Sequence, residues 1–328
     1  MANDVKKIDA VFEGGGVKGI GLVGAVAVTQ EKGYQFSNVA GTSAGAIVAS
    51  LVAAGYTAAE LKQILDALDY TEFKDPTRLD RIPLVGKVLS VSFDQGVYLG
   101  RFFERWLRDL LAKKNIRVFR DLVMPEYKDD PRYRYKTASH ASDITRGKLL
   151  VLPSNIADYG LDPDELEVAR AVRMSMSITY LFEPVVLHAA GAPCYIVDGG
   201  VLSNYPIWLF DDGNDPPWPT LGYKLVDPQE GRPHKICGPL TLFEALFATM
   251  MEAHDARYIQ DHDFVRSIPI PTLGVRTTDF ELSKEQAEAL YRSGVEAARK
   301  FFERWDFERY KATYRRVTPL HRTERLAR

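Results

Sequence analysis

The chain has 328 residues, of which 46% are hydrophobic and 26% are charged, a composition typical of globular proteins with a sizeable core. Its 42 basic and 44 acidic residues give a net charge of -2. This excludes a strong positive electrostatic potential over the whole protein that would attract polyanions, so we expect no nucleic-acid partner. Cys194 and Cys237 form neither a disulfide framework nor a paired metal motif. The N-terminus lacks the apolar core of a secretory signal, and the sequence therefore predicts a cytoplasmic protein.

One stretch has the length and apolar character of a membrane span. No charged residue occurs between Gly33 and Ala59. Polar residues interrupt the stretch, including Thr42, Ser43 and Ser50, and this favours a buried strand followed by a buried helix. We predict no transmembrane segment.

The first 55 residues predict two successive βα units. Ile8–Phe12 is a short apolar run that ends in a glycine loop, and a helix of small residues spans Gly19–Gln30. A second strand covers Phe36–Ala40, and a second helix covers Ser43–Ala54. Successive βα units imply a parallel sheet with buried strands. We therefore expect an α/β protein with a three-layer α/β/α fold and a mainly parallel central sheet.

The next segments contain two helix signals and one irregular stretch. Thr57 and Glu60 form a capping box that starts a third helix. The pattern loosens over Phe73–Tyr98, which is compatible with an apolar flap. Apolar residues at helical spacing over Leu99–Leu111 predict a helix packed on the core, with a lipid-facing surface helix as the alternative.

The rest of the chain predicts three more strands and three more helices. The strands are Tyr135–Ser139, Lys148–Leu152 and Cys194–Val197, and the helices open at Asp162-Pro163, at Leu242 (ending at Tyr258) and after the capping residue Ser283. No repeat or linker divides the chain. We predict one domain over residues 1–310, with its motifs within about residues 8–210, and a basic tail over residues 311–328.

A candidate nucleophile lies between the second strand and the second helix. Gly41-Thr-Ser-Ala-Gly45 has the GxSxG spacing of a nucleophile elbow in the strand–turn–helix setting that such an elbow requires. The two glycines let strand and helix pass close together, and the helix N-terminus places partial positive charge near developing negative charge. Ser43 is the candidate nucleophile. The alternative is an ordinary serine N-cap.

The glycine loop after the first strand is a candidate anion-binding element. Consecutive glycines let backbone N–H groups face a ligand, so the loop can form an oxyanion hole. The loop also satisfies GxGxxG, the dinucleotide-binding fingerprint. That fingerprint requires an acidic residue near the end of the second strand. This chain has Gly41, Thr42 and Ser43 there, which disfavours a dinucleotide cofactor.

Acyl transfer by a serine requires a base, and two kinds are possible. Asp198-Gly199-Gly200 follows a predicted strand, and a carboxylate touching the serine hydroxyl can accept its proton if burial raises its pKa. A routine turn is the alternative. A Ser-His-Asp esterase would instead need one of the histidines that follow Asp198, none of which has a compelling context: His234, His254, His262 and His321. No spacing of the HExxH type surrounds His254 and His262, so we predict no metal.

Together these motifs resemble the patatin-like phospholipases. The loop GGGVKG, the elbow GTSAG and the segment Asp198-Gly-Gly-Val-Leu-Ser-Asn204-Tyr-Pro206 occur in that family's order and approximate separation. Arg173-Met-Ser-Met-Ser177 followed by Phe182-Glu-Pro184-Val185 resembles a further block of the family. The resemblance covers about the first 210 residues. Ile178-Thr179 departs from it, because many relatives carry proline there, and this puts the local pocket shape in doubt.

The resemblance implies a mechanism and assigns residues to it. Ser43 and Asp198 would form a catalytic dyad, and the oxyanion hole would come from the backbone of Gly14, Gly15, Gly16 and Val17. The dyad would hydrolyse acyl esters of lipids through an acyl-serine intermediate, without calcium or another cofactor. The motifs would be supported by small or amide residues, namely Gly41, Gly45, Gly199, Gly200 and Asn204.

Substrate and membrane contacts are further expectations. An apolar groove for the acyl chain would include Met174, Met176 and Phe182. The basic tail would favour peripheral contact with an anionic membrane surface, with a solvated tail as the alternative. Three other functions stay open. They are an acyltransferase that uses the same serine, a Ser-His-Asp esterase, and a lipid-binding protein without activity. Related acyltransferases often have His at the position of Thr42.

Overall fold

The computed structural model describes residues 6–68, 72, 96–211, 216–228, 236–238, 242, 245–246, 249–250 and 261–315. The strands of this part are β1 (Lys6–Phe12), β2 (Tyr34–Thr42), β3 (Gly96–Tyr98), β4 (Thr137–Asp143), β5 (Lys148–Leu152), β6 (Tyr180–Phe182), β7 (Val185–Ala189), β8 (Ala192–Asp198), β9 (Thr220–Val226) and β10 (Ser267–Pro271). The helices are α1 (Ile20–Glu31), α2 (Ala44–Ala53), α3 (Ala58–Ala67), α4 (Arg101–Ala112), α5 (Val168–Ser175), α6 (Asp261–Val265), α7 (Lys284–Phe302) and α8 (Phe307–Tyr310).

In the central sheet, hydrogen-bonded neighbours follow the path β10-β9-β1-β2-β4-β8-β7, and β5 also pairs with β4. β2 and β8 pair with successive parts of the same edge of β4, and β5 pairs with the opposite edge. The neighbours from β10 to β4 are parallel, whereas β8 runs antiparallel to β4 and β7, and β5 is antiparallel to β4. A separate pair joins β3 to β6. The predicted α/β fold with a mostly parallel central sheet is confirmed.

Hydrophobic side chains cover both faces of the sheet at β1. Ile8 and Ala10 are fully buried in the main core, together with side chains of α1, α2 and α7. Val11 points to the other face, since successive strand residues alternate. There it packs with Tyr205, Ile207 and Phe210. Burying each large apolar side chain of this kind contributes about 1.5–3 kcal/mol, so β1 stabilises the fold through both of its faces.

The ends of β2 and β8 meet on one edge of β4. In β2, Thr42 pairs with His140 of β4, and in β8, Asp198 pairs with the next residue of β4, Ala141. Strand β5 pairs with the same part of β4, from Ser139 to Asp143. Because β5 occupies one edge, β2 and β8 share the other and run toward each other. Their carboxyl ends therefore lie one register step apart.

One predicted helix begins later than expected. Asp162-Pro163 opens only a 3-10 turn over Pro163–Glu165, in which the Asp162 side chain accepts the Asp164 N–H, and α5 starts at Val168. The predicted start was wrong because the chain between the turn and α5 is extended. Glu167 forms a bridge with Val118 there, and this long-range pairing overrides the local helix signal.

Some of the remaining helix predictions are confirmed by the described residues, and other predicted segments lie outside them. The capping boxes of α3 and α7 are confirmed, and α4 buries the face that carries Phe103 and Leu107, as the core-packing interpretation predicts. Of the helix predicted from Leu242, the described residues are helical. Most of the predicted flap, residues 73–95, and the tail from residue 316 lie outside the described residues. Among the helices that the structure describes, none is long and apolar enough to cross a bilayer.

Candidate active site

Ser43 occupies a strained turn between β2 and α2. Its φ of 52° and ψ of -123° lie where a residue with a side chain is rarely found, at a cost of about 1–3 kcal/mol that surrounding structure must offset. A Cβ on Gly41 would lie 2.2 Å from the carbonyl carbon of Gly45, and a Cβ on Gly45 would lie 2.2 Å from the Phe12 oxygen. Only glycine therefore fits at the positions two residues before and two residues after Ser43, as the GxSxG interpretation requires.

Asp198 is buried at the end of β8. One carboxyl oxygen, Oδ1, accepts the Gly200 N–H at 2.8 Å. Burial raises the pKa of Asp198 from 3.8 to about 7, and the Gly200 N–H and the Ser43 hydroxyl partly oppose this rise in pKa because both stabilise the ionised form. The other oxygen, Oδ2, is buried and makes no hydrogen bond of ordinary geometry to any described residue. The Ser43 hydroxyl therefore acts on the pKa of a carboxyl group whose second oxygen, Oδ2, has no hydrogen-bond partner among the described residues.

His140 lies beside this pair, because it is the β4 residue that pairs with Thr42. It is fully buried, and burial lowers its pKa to about 4, so the ring is neutral near pH 7. Nδ1 lies 3.4 Å from the Gly41 carbonyl oxygen, and the ring packs edge-on against Trp208. Within the described part of the chain, no hydrogen bond joins His140 to Ser43. The Ser43 hydroxyl acts on the pKa of Asp198 and not on the pKa of His140, which favours Asp198 over His140 as the base.

The amides of the glycine loop divide into used and unused donors. The Gly14 N–H donates to the Asn204 carbonyl at 3.2 Å, and the Val17 N–H donates to the Thr277 carbonyl at 3.3 Å. The amides of Gly15 and Gly16 have no acceptor among the described residues. Two of the four predicted oxyanion donors are therefore engaged by the protein itself, and the other two have no acceptor within the described part of the chain.

Two side chains hold the glycine loop in place. The Asn204 Nδ2 donates to the Gly14 carbonyl at 3.1 Å, so Asn204 connects the aspartate loop to the glycine loop. Glu13 is buried, and its carboxylate accepts the Lys224 Nζ at 3.0 Å and the Leu225 N–H. The sequence analysis named Asn204 as support but missed Glu13. Its place directly before three glycines was the available signal.

The block from Arg173 to Ser177 contacts both candidate catalytic residues. The Ser43 N–H donates to the Ser175 Oγ at 2.9 Å, and the Asp198 N–H donates to the Ser177 carbonyl at 2.9 Å. The sequence analysis expected Met174 and Met176 of this block in an acyl groove, but it gave Arg173, Ser175 and Ser177 no role beyond the family resemblance. No local pattern predicts these bonds, because they join residues more than 20 positions apart.

The three residues predicted to line an acyl pocket are buried. Met174 is fully buried and Met176 is 6% exposed, and both belong to the main core. Phe182 is 2% exposed and lies under the guanidinium of Arg173, 5.5 Å from the ring centre. Their contact with an acyl chain stays a prediction. In the described ranges, no group of three His, Cys, Asp or Glu side chains is placed to hold a metal ion.

The family is shown by comparison with known proteins. The model of the patatin-like phospholipase family matches residues 10–211. The protein YqhO of Bacillus subtilis (strain 168) is 43% identical over 302 residues, which cover 92% of this chain and 99% of YqhO. The protein R571 of Acanthamoeba polyphaga mimivirus is 24% identical over 309 residues, 88% of this chain and 91% of R571. The chain belongs to the patatin-like phospholipase family, and membership supports lipid hydrolysis as its activity.

Solved structures share the fold. VipD from Legionella pneumophila matches with a TM-score of 0.54 at 20% identity, over 90% of this chain and 66% of VipD. ExoU of Pseudomonas aeruginosa, solved in complex with SpcU, matches with a TM-score of 0.47 at 19% identity, over 90% of this chain and 51% of ExoU. The chain thus spans just under two thirds of VipD and about half of ExoU. The likeness to VipD concerns the fold.

Proposed function

We propose that this protein is a lipid acyl hydrolase that cleaves carboxylic esters of phospholipids, lysophospholipids or related lipids through an acyl-serine intermediate. One observation carries the proposal. A buried carboxyl group, Asp198, lies one register step from the strand end that carries the strained Ser43, and the serine hydroxyl acts on the pKa of that carboxyl. A side-chain base beside an elbow serine is the arrangement that nucleophilic acyl transfer requires.

The dyad works as base and then as acid. The ionised Asp198 accepts the proton of Ser43 through Oδ2, while Oγ bonds to the ester carbonyl carbon and forms a tetrahedral oxyanion. The oxyanion collapses, the ester C–O bond breaks, and Asp198 returns the proton to the leaving alkoxide. Water then repeats the sequence on the acyl-serine and releases a carboxylic acid. Burial helps this cycle, because a pKa of about 7 matches proton transfer near neutral pH.

Two sources of positive potential stabilise the oxyanion. The amides of Gly15 and Gly16 have no acceptor among the described residues, and one backbone donor of this kind is typically worth about 3 kcal/mol in the barrier. Helix α2 begins directly after Ser43, so its N-terminal partial charge also faces the developing negative charge. Gly14 and Val17 then contribute by holding the loop.

Substrate contacts complete the proposal. An apolar chain would bind near Met174 and Met176, which belong to the block that touches the dyad, and near Phe182, which packs against Arg173 of that block. Peripheral contact with an anionic membrane surface is proposed through the basic tail, where each well-placed cation contributes about 1 kcal/mol. Removing residues 311–328 tests this contact by sedimentation with anionic and neutral vesicles. Equal binding by the full and shortened chains would reject it.

The experiment that tests the activity is a lipid panel. Wild type, Ser43→Ala and Ser50→Ala are incubated with a phosphatidylcholine, a lysophosphatidylcholine and a triacylglycerol, and released fatty acids are measured by mass spectrometry. Ser50 is a matched control because it is a buried serine of α2, the helix that follows Ser43, and its hydroxyl donates to the Ile47 carbonyl and to no other described residue. We expect release by wild type and Ser50→Ala but not by Ser43→Ala. Acyl transfer to an added alcohol in place of hydrolysis, or release by Ser43→Ala, would overturn the proposal.

A further inference from the structure

A three-residue segment fastens the backbone of both dyad residues. The Ser175 Oγ accepts the N–H of Ser43, and two residues later the Ser177 carbonyl accepts the N–H of Asp198. All four residues are at most 3% exposed. A shift of this segment would therefore move the nucleophile and its base relative to each other.

Ser175 meets a specific need of the strained elbow. The φ of Ser43 is 52°, and a residue in this region persists only where its surroundings overdetermine it. The Ser43 amide lies at the start of α2, where helix N–H groups have no partner within the helix. A buried amide without an acceptor is costly, and the hydroxyl of Ser175 supplies that acceptor from another element.

Arg173 fixes the same segment from the other side. Its guanidinium donates to the Ser177 hydroxyl, to the Leu99 carbonyl at 2.8 Å and to the Glu183 carbonyl at 2.9 Å. The residues that supply these carbonyls directly follow β3 and β6. Arg173, which is 4% exposed, thereby connects the β3–β6 pair to the segment that holds Asp198. The planar guanidinium can reach three acceptors at once, which a lysine ammonium on a flexible stem cannot reproduce.

We infer that Ser175 and Arg173 are positioning residues that set the distance between the Ser43 hydroxyl and the Asp198 carboxyl group. Neither touches the reacting atoms in this arrangement. Their effect on catalysis rests on the proposed function, but their effect on the two backbone amides does not. The inference therefore has a readout that is independent of activity.

The first test follows amide hydrogen exchange by NMR in ¹⁵N-labelled protein. In Ser175→Ala, the Ser43 amide is expected to exchange at least about tenfold faster than in wild type, because its acceptor is gone. In Ser50→Ala, which removes a buried hydroxyl of α2 that contacts neither dyad residue, exchange at Ser43 stays as in wild type. Unchanged exchange at Ser43 in Ser175→Ala overturns the inference for Ser175, whether or not the protein hydrolyses lipids.

The same measurement tests Arg173. Arg173→Lys keeps the charge, and we expect faster exchange at Asp198. The control is Arg170→Lys, on the same helix, where the arginine bonds to Glu104 at 3.1 Å on the surface. Exchange at Asp198 that equals wild type in Arg173→Lys, or that rises equally in Arg170→Lys, overturns the inference for Arg173.

The second test measures the chemistry. Displacement of reacting groups by about 1 Å can cost about 100-fold in rate. For Ser175→Ala, assayed well below its melting temperature, we expect kcat to fall about 10–100-fold with KM nearly unchanged. A loss that appears only in KM, or that scales with the drop in melting temperature, assigns Ser175 a merely structural or substrate-binding role and overturns the inference. A wild type that releases no fatty acid refutes the proposed function, while the exchange data still judge the positioning.

Discussion

Thr42 and Asp198 pair with consecutive residues of strand β4, His140 and Ala141. The two strands that bear them come from opposite directions along one edge of β4, so their carboxyl ends meet head to head. Ser43 directly follows Thr42, and sheet topology therefore brings the two residues of the proposed dyad to the same place. Gly199 lies against β4 at this meeting point, where an added Cβ would lie 2.3 Å from the His140 oxygen.

Replacing Asp198 by asparagine should remove the base and keep the packing. Asparagine still accepts the Gly200 N–H but cannot take a proton from Ser43, so we expect kcat to fall about 100- to 10,000-fold. Fatty-acid release by purified Asp198→Asn measures this. A variant with more than a tenth of wild-type kcat would show that another group is the base.

The raised pKa of Asp198 also predicts a stability effect. In the folded protein this pKa is about 7, against 3.8 for an unperturbed carboxyl, so folding favours the protonated form. That contribution is present below about pH 4 and is lost as the pH rises through 7. Asp198→Asn should therefore be more stable than wild type at pH 8, by at most about 4 kcal/mol, and nearly equal at pH 4. Urea unfolding at both pH values tests this; equal stabilities at pH 8 contradict it.

His140 separates the two kinds of base. Its pKa is lowered to about 4, so it does not titrate near neutral pH, whereas Asp198 does. We expect kcat of wild type and of His140→Gln to rise with pH through about 7. A flat profile in His140→Gln, with the rise intact in wild type, would assign the titration to histidine and favour a triad.

Glu13 should control the glycine loop through its charge. Its carboxylate faces only donors among the described contacts: the Lys224 ammonium, the Leu225 N–H and the Asn204 amide at 3.4 Å. In Glu13→Gln, an amide of similar size replaces one acceptor oxygen with a donor. We expect kcat to fall about 10–100-fold because the oxyanion donors shift. Wild-type kcat in this variant would show that the loop holds its shape without Glu13.

Gly45 should tolerate no side chain. A Cβ there would lie 2.2 Å from the Phe12 oxygen, which is backbone and cannot move cheaply. Gly45→Ala is expected to lose more than about 2 kcal/mol of unfolding free energy, measured by urea denaturation. Gly238 is the control, because a Cβ there meets nothing within 4 Å. Equal stability of the two alanine variants would contradict the close strand–helix contact.

Local signals predicted much of this fold and of the site. Apolar periodicity located β1, β2 and α2, and the capping residues located α3 and α7, because these features depend on neighbours in sequence. The glycines around Ser43 predicted the elbow for the same reason. The helix start at Asp162 was wrong, since pairing of Glu167 with Val118 is a long-range contact that no local pattern encodes.

The supporting contacts of the site were beyond sequence reasoning. Ser175 looks like any small residue near a helix end, and its role depends on α5 meeting the elbow across the core. Thr277 supports the glycine loop by accepting the Val17 N–H, yet it lies outside the residues matched to the family, 10–211. Such contacts follow from tertiary packing, which sets their partners.

The most direct test of the dyad is covalent labelling of Ser43 by a fluorophosphonate across pH, read by intact-protein and peptide mass spectrometry. This reaction requires an activated serine but no lipid binding. We predict one label, on Ser43, with a rate that rises through about pH 7 in wild type and is at least about 100-fold slower and independent of pH in Asp198→Asn. Labelling of Asp198→Asn at the wild-type rate, or of a residue other than Ser43, would contradict the account.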